Sequence, residues 1–278
     1  MRVWRCGRLL AAVTGLVCGL GLWGASVSAA DVSPSRASVP VVVPATPSGW
    51  TYQATLYLWG TSLTGDVGVR NLPTSHVNVG FSDILNNLNG AFMGSFLAKN
   101  GDWMLLADLI WADIGADKTL NVANNPRLSY SQKLTIASGI AGYRLPVSTP
   151  NFDVYATAGF RYQRLTADMT LTSGLVPLAA GGSETKEWLD PIVGFAATYR
   201  VNERWFVNAL ADIGGFGVGS ELTTQGFLSV GYFWTPQVSS ALGYRVLYTD
   251  YRSVSGPNSD FRYDVTIHGP FASIAYHF

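Results

Sequence analysis

The last eight residues, "FASIAYHF" (271–278), decide the fold. Read as a strand, they place Phe278, Tyr276, Ile274 and Ala272 on one face and His277, Ala275 and Ser273 on the other. Chain ends usually fray and finish in polar side chains. An apolar face carried to the final residue requires an apolar neighbour, either a protein core or a bilayer.

The same two-residue period recurs upstream, broken by alternately short and long connections. Working back from the terminus, "FRYDVTIHGPFASIAYHF" (261–278) is preceded by "VSSALGYRVLYTDY" (238–251), which meets "GFLSVGYFW" (226–234) across "TPQ". "RWFVNALADIGG" (204–215) meets "DPIVGFAATYRV" (190–201) across "NE", and "FDVYATAGFRYQRL" (152–165) meets "KLTIASGIAGYRL" (133–145) across "PVSTPN". "DWMLLADLIWADIG" (102–115) meets "GAFMGSFLAK" (90–99) across Asn100-Gly101, a strong hairpin signal. "WTYQATLYLWG" (50–60) is the first of the series. The pattern predicts about ten strands, with eight or twelve as alternatives. The remaining connections, 61–88, about 115–128, about 174–185, 215–221 and 253–260, are longer or glycine-rich. Short turns at one end and long loops at the other are the pattern of a transmembrane antiparallel up-and-down β-barrel.

Where the alternation is clean, it is inverted relative to a water-soluble sheet. Trp103, Leu105, Ala107, Leu109 and Trp111 share a face opposite Asp108. Phe152, Val154, Ala156, Ala158, Phe160 and Tyr162 oppose Asp153, Thr157, Arg161 and Gln163. Val238, Leu242, Tyr244, Val246 and Tyr248 oppose Ser239 and Arg245, and Trp205, Val207, Ala209 and Ile213 oppose Asn208 and Asp212. Aromatics therefore point to lipid and charges to the lumen. The phase of 89–99 and of 130–145 stays open. Trp103 and Trp111 are separated by about 20 Å along the membrane normal, given a rise of ~3.3 Å per residue and a tilt of about 40°. That separation fits an apolar band flanked by two aromatic girdles.

Composition agrees. Aromatic residues and charged residues each make up 13% of the chain, whereas ordinary soluble domains carry about 25% charge. Residues 1–30 have the form of a secretory signal peptide: Arg2, Arg5 and Arg8, an apolar stretch, and small residues before an expected cleavage near Ala30. Both cysteines, Cys6 and Cys18, fall within it, so no disulfide or thiolate chemistry is expected beyond it. Without its three arginines the chain holds 15 basic and 18 acidic residues; that balance offers no nucleic-acid footprint. Residues 31–49 are rich in Pro and Ser and read as a linker, leaving 50–278 as the barrel.

Asp108, Arg161, Asp190, Asp212 and Arg245 are the candidate lumen residues. Isolated buried charges are costly, so these acids and arginines are expected to pair and fill the interior. Arg245 and Asp212 point to the same interior, and a long arginine reaches across a narrow one. The alternative is a charged constriction that selects solutes. "GGFGVGS" (214–220) lacks the helix and lysine of a phosphate loop and reads as a tight turn. His76, His268 and His277 show no nucleophile–base motif and no metal-ligand spacing, so neither catalysis nor a metal or other cofactor is expected. "FSDILNNL" (81–88) reads as one or two helical turns capped by Ser82, either plugging the mouth or lying in a loop.

Taken as a set, "YLWGTSLTGDVGV", "FSDILNNLNGAFMGSF", "WLDPIVG", "DIGGFGVGS", "LGYRVLYTDY" and "HGPFASIAYHF" resemble an uncharacterised, widespread family of Gram-negative outer-membrane β-barrel proteins, over about residues 52–278. The resemblance implies the fold and a bacterial outer-membrane location, and no activity or site residues. The terminal row Ile274, Tyr276 and Phe278 also resembles the signal by which barrel-assembly machinery recognises its substrates. The expected role is structural or narrowly porin-like, with outer-membrane lipid as a partner. A barrel enzyme acting on outer-leaflet lipid, and an adhesin or receptor working through its loops, are the alternatives.

Overall fold

The structure is a computed structural model and describes residues 49–69, 75–119, 127–172, 179–254 and 260–278. The expected signal peptide and nearly all of the linker lie outside the described residues. In chain order the elements are β1 (Thr51–Trp59), β2 (Ser62–Val69), β3 (Ser75–Val79), α1 (Phe81–Asn86), β4 (Leu88–Asn100), β5 (Trp103–Thr119), β6 (Arg127–Arg144), β7 (Phe152–Thr172), β8 (Ala179–Arg200), β9 (Trp205–Gly215), β10 (Leu222–Phe233), β11 (Val238–Val254) and β12 (Asp260–His277). Ten strands, β1 and β4 to β12, form a closed antiparallel ring in which β1 pairs with both β4 and β12. The all-β barrel is thus the fold, as the alternation implied.

Two strands lie outside the ring, within the stretch read as the first long loop. β12 is long enough to serve two partners. Its C-terminal part pairs with β1, from Trp59↔Phe271 to Gln53↔His277. Its N-terminal part pairs with β2, from His268↔Ser62 to Phe261↔Val69. β2 therefore continues the line of β1 past a break at Gly60 and Thr61, and β3 folds back onto it. Pro270 lacks an N–H and cannot donate to the ladder at this break; its carbonyl instead accepts the Gly60 N–H at 2.8 Å. The backbones come so close that a Cβ on Gly269 would sit 1.8 Å from the Gly60 carbonyl oxygen. "SLTGDVGV" has weak alternation and two glycines, so its strand character rests on pairing with distant β12. Two other expected loops are shorter than read: β5 runs to Thr119 and β6 starts at Arg127, while β8 starts at Ala179.

α1 is a single short helix, as expected, but its N-cap is Gly80 and not Ser82, and no side chain caps it. It buries no residue. Its Phe81 ring packs over Gly60 beside Pro270.

The inverted faces are as read. Leu58 and Leu242 are 72% and 70% exposed, whereas the lumen residues Ile136, Arg161 and Asp190 are each 0% exposed. The two ambiguous strands resolve through side-chain size. β6 turns Ile136, Ile140 and the partly buried Leu134 inward and small residues outward; a Cβ on Gly139 would meet the Phe160 ring at 2.7 Å. β4 presents Phe92 and Phe96 to lipid with Gly94 between them and Ala98 beyond, and Leu97 and Lys99 to the lumen. The short-turn rim carries an aromatic girdle: Trp103 on Tyr143 at 5.1 Å, Trp205 on Tyr232 at 5.0 Å, and Phe278 on Tyr52 at 5.5 Å between ring centroids. The girdle's tryptophans and tyrosines keep an apolar body in the hydrocarbon and a polar tip at the headgroups.

Leu109→Arg should lower refolding stability by about 2–4 kcal/mol, the cost of a cation near the midplane of the lipid face; denaturant titration in lipid vesicles measures it, and an unchanged midpoint would show the β5 phase to be wrong.

Candidate functional site in the barrel lumen

The lumen is stratified. Its middle is a polar layer supplied by six strands. Asp108 on β5 accepts the Tyr57 hydroxyl of β1 at 2.7 Å and the Arg245 Nη2 of β11 at 2.8 Å. Arg245 Nη1 also reaches the Tyr57 hydroxyl at 3.1 Å, and its Nε and Nη2 donate to Gln225 Oε1 of β10 at 3.1 and 2.7 Å. The guanidinium lies over the Trp59 ring, 5.0 Å from its centroid. Gln225 Nε2 passes the chain of bonds on to Asp212 Oδ2 of β9 at 3.2 Å. Across the lumen Arg161 Nη2, from β7, donates to both Asp212 oxygens at 2.9 and 2.8 Å, and Nη1 donates to Thr223 Oγ1 at 3.1 Å.

Sequence reasoning had Arg245 reaching for Asp212. The structure gives Arg245 to Asp108 and Arg161 to Asp212, and joins the two pairs through Gln225. Each arginine thereby has a carboxylate, and the layer is neutral as a whole. That matters because a buried charge without its partner costs several kcal/mol. Tyr57 and Gln225 were not anticipated. Tyr57 was detectable in principle, because it lies on the face opposite the lipid-facing Leu56 and Leu58. Gln225 fell just outside the stretch read as β10.

Asp190 stands opposite Arg161 in the β7–β8 ladder, yet among the described residues it pairs with no arginine. Its Oδ1 accepts the Ser220 backbone N–H at 2.6 Å and so anchors the turn between β9 and β10. That turn needs its glycines: Gly215 and Gly217 have φ of +89° and +73°, beside Phe216 at +51°. β10 follows directly, so "GGFGVGS" is a strand connection as read.

Toward the long-loop end the lumen is a packed apolar core. Trp188 stacks on Tyr251 at 4.2 Å, and Tyr263, Val265, Leu247 and Ile136 fill the space around them. Toward the short-turn end lies a cavity of about 650 Å³. The polar layer roofs it with Tyr57, Asp108, Gln225 and Arg245; Thr51, Gln237 and Phe278 line it at the rim.

The histidines are scattered. His277 Nε2 is 2.8 Å from Ser239 Oγ in the lumen, His268 Nδ1 is 2.7 Å from the Tyr244 hydroxyl on the exterior, and His76 Nδ1 is 2.9 Å from Asp66 Oδ1 on β2. Among the described residues no group of three or more His, Cys, Asp or Glu is arranged to hold a metal.

Comparison with solved structures returns matches that extend over most of the chain at low sequence identity. The outer-membrane protease OmpT of Escherichia coli has a TM-score of 0.49 and 10% identity, covering 84% of this chain and 98% of its own. Ail, the attachment invasion locus protein of Yersinia pestis, has a TM-score of 0.36 and 11% identity, covering 83% and 99%. The translocator domain of the autotransporter NalP from Neisseria meningitidis has 0.38 and 11%, covering 82% and 88%. No family model and no curated protein matches the sequence. These neighbours differ in what they do, and only their architecture is compared. What decides the class is the chain's own surface. A closed antiparallel ring with an apolar exterior satisfies every backbone group internally and spans a bilayer. The chain is a transmembrane β-barrel.

Arg245→Ala should cost about 3–5 kcal/mol in refolding stability, because it leaves Asp108 buried without a cation. The double variant Arg245→Met, Asp108→Leu should lose much less than the sum of its single variants; additive losses in that cycle would show that the two groups are not coupled.

Proposed function

We propose that this protein is a closed outer-membrane barrel with a structural role, a membrane-embedded body that conducts no ions in its resting state. The observation that carries this is the fill of the lumen. Arg161 and Gln163 are fully buried inside a ring of ten strands, and Trp188, Leu247 and Val265 are nearly so. A ten-stranded barrel is intermediate between small barrels filled by side chains and wide porins with an aqueous channel. The ion-pair layer and the aromatic core together bring this one to the filled side. A narrow porin role would need both to move aside.

The proposal includes no catalytic role and no cofactor. It does include a role for the C-terminus in assembly. Ile274, Tyr276 and Phe278 form an exposed apolar row on the lipid face, and Phe278 also completes closure by exchanging backbone hydrogen bonds with Tyr52 at 2.7 and 2.9 Å. Such a row is what barrel-assembly machinery would read before the strand is paired.

Refolded protein in a planar lipid bilayer should show no stepwise conductance, and reproducible single-channel steps from the unmodified chain would overturn the closed reading. Phe278→Ala, which keeps the closing backbone bonds, should reduce the amount recovered in the outer-membrane fraction while leaving vesicle refolding nearly unchanged; equal recovery would remove the assembly role.

A further inference from the structure

The apolar plug and the ion-pair layer leave about 650 Å³ beneath them with no role in closure. That volume lies in the range of small-molecule sites, which are mostly apolar with a few placed polar groups. The lining fits that description. Leu97, Leu106, Ile140, Phe206 and Leu210 supply walls, and the blind end is aromatic, where Phe271 packs on Phe227 and on Tyr57, both at 4.9 Å. Serine and threonine hydroxyls, Thr55, Ser138 and Ser229 among them, are interspersed.

Charge is distributed unevenly along this cavity. At the roof, Asp108 and Arg245 satisfy each other and offer no free charge. Nearer the rim, Lys99 and Arg200 line the cavity, and among the described residues neither has a carboxylate within salt-bridge distance. The neighbouring Arg144 is already held by Asp153. Lys99 rests its ammonium over the Tyr155 ring, 5.0 Å from the centroid. A lysine and an arginine that form no ion pair among the described residues, at the entrance of an apolar, dead-ended cavity, are matched by an anion attached to an apolar body.

We propose that the short-turn half of the lumen is a binding site, open to the periplasm, for a single-chain anionic amphiphile. Its carboxylate or phosphate lies at Lys99 and Arg200, and its acyl chain extends up to Phe227 and Phe271. The site is dead-ended only if the lumen is closed, so it rests on the reading above; conductance tests that reading separately.

The test uses the full chain refolded in nanodiscs, free of competing detergent, with a photoactivatable dodecanoate carrying a diazirine at the tail. Labelling mapped by mass spectrometry should fall on Phe227, Phe271 or Leu106. Laurate should compete and methyl laurate should not. Lys99→Met should weaken labelling about tenfold, the loss expected for one charge-assisted contact. Leu106→Trp, which fills the cavity without touching the charges, should abolish it, while heat-modified gel mobility reports that the barrel is intact. Labelling confined to lipid-facing residues such as Leu105 and Leu109, or equal competition by the methyl ester, would overturn the proposal. Conductance together with tail labelling in the cavity would refute the closed lumen and leave the site standing.

Discussion

Within hydrocarbon, a backbone N–H or C=O without a partner has no water to turn to, so a sheet that spans the bilayer must not have an edge. In this chain that constraint is met where the last strand returns to the first. The backbone bonds between Phe278 and Tyr52 and the ladder from Gln53↔His277 to Trp59↔Phe271 close the ring. Everything else follows from closure. Alternate residues of every ring strand must face lipid, which forces the rest into one shared interior. The length of β12 beyond β1 also creates a second pairing surface, and β2 and β3 occupy it as an annex at the long-loop end.

The interior that closure creates is then filled in an order set by chemistry. A ring of ten strands has more room than aliphatic residues on alternate positions can fill evenly. Arginine solves this on both sides of the lumen, because it is long, always charged and carries donors in a planar fork. Arg161 and Arg245 extend from strands on different arcs of the ring, and each meets a carboxylate from another strand, Asp212 on β9 and Asp108 on β5. Gln225 fits between them because an amide both donates and accepts. Stacked aromatics and aliphatics then occupy the long-loop half, with Lys186 resting over the Phe261 ring at its edge.

Such a layer is not an obvious source of stability. Buried ion pairs often cost as much in desolvation as they return in attraction. Its more evident effect is positional. Six strands contribute to one hydrogen-bonded set that is satisfied in a single register, and a slip of one residue on any of them would turn its polar partner to lipid. The layer also divides the lumen into a plugged half and a hollow half, and the proposed ligand site owes its blind end to that division.

How much of this was legible in the sequence follows from the range of each signal. Lipid facing is a property of one strand at a time, and "DWMLLADLIWADIG" or "FASIAYHF" carries it in full, so the barrel, the strand series and the inward direction of Asp108, Arg161, Asp190, Asp212 and Arg245 were readable from period alone. β4 and β6 escaped because glycine and alanine interrupt their lipid faces while Leu97 on β4 and Ile136 and Ile140 on β6 face the lumen, so hydropathy does not distinguish the two faces. β2 escaped because its partner is distant β12. Which arginine meets which carboxylate is a matter of three-dimensional reach across a closed ring, where Arg245 and Asp108 lie far apart in sequence. So too are the bridge at Gln225, the turn held by Asp190 and the cavity under Arg245. Alternation determined the direction of each side chain; only closure of the ring decided what it met there.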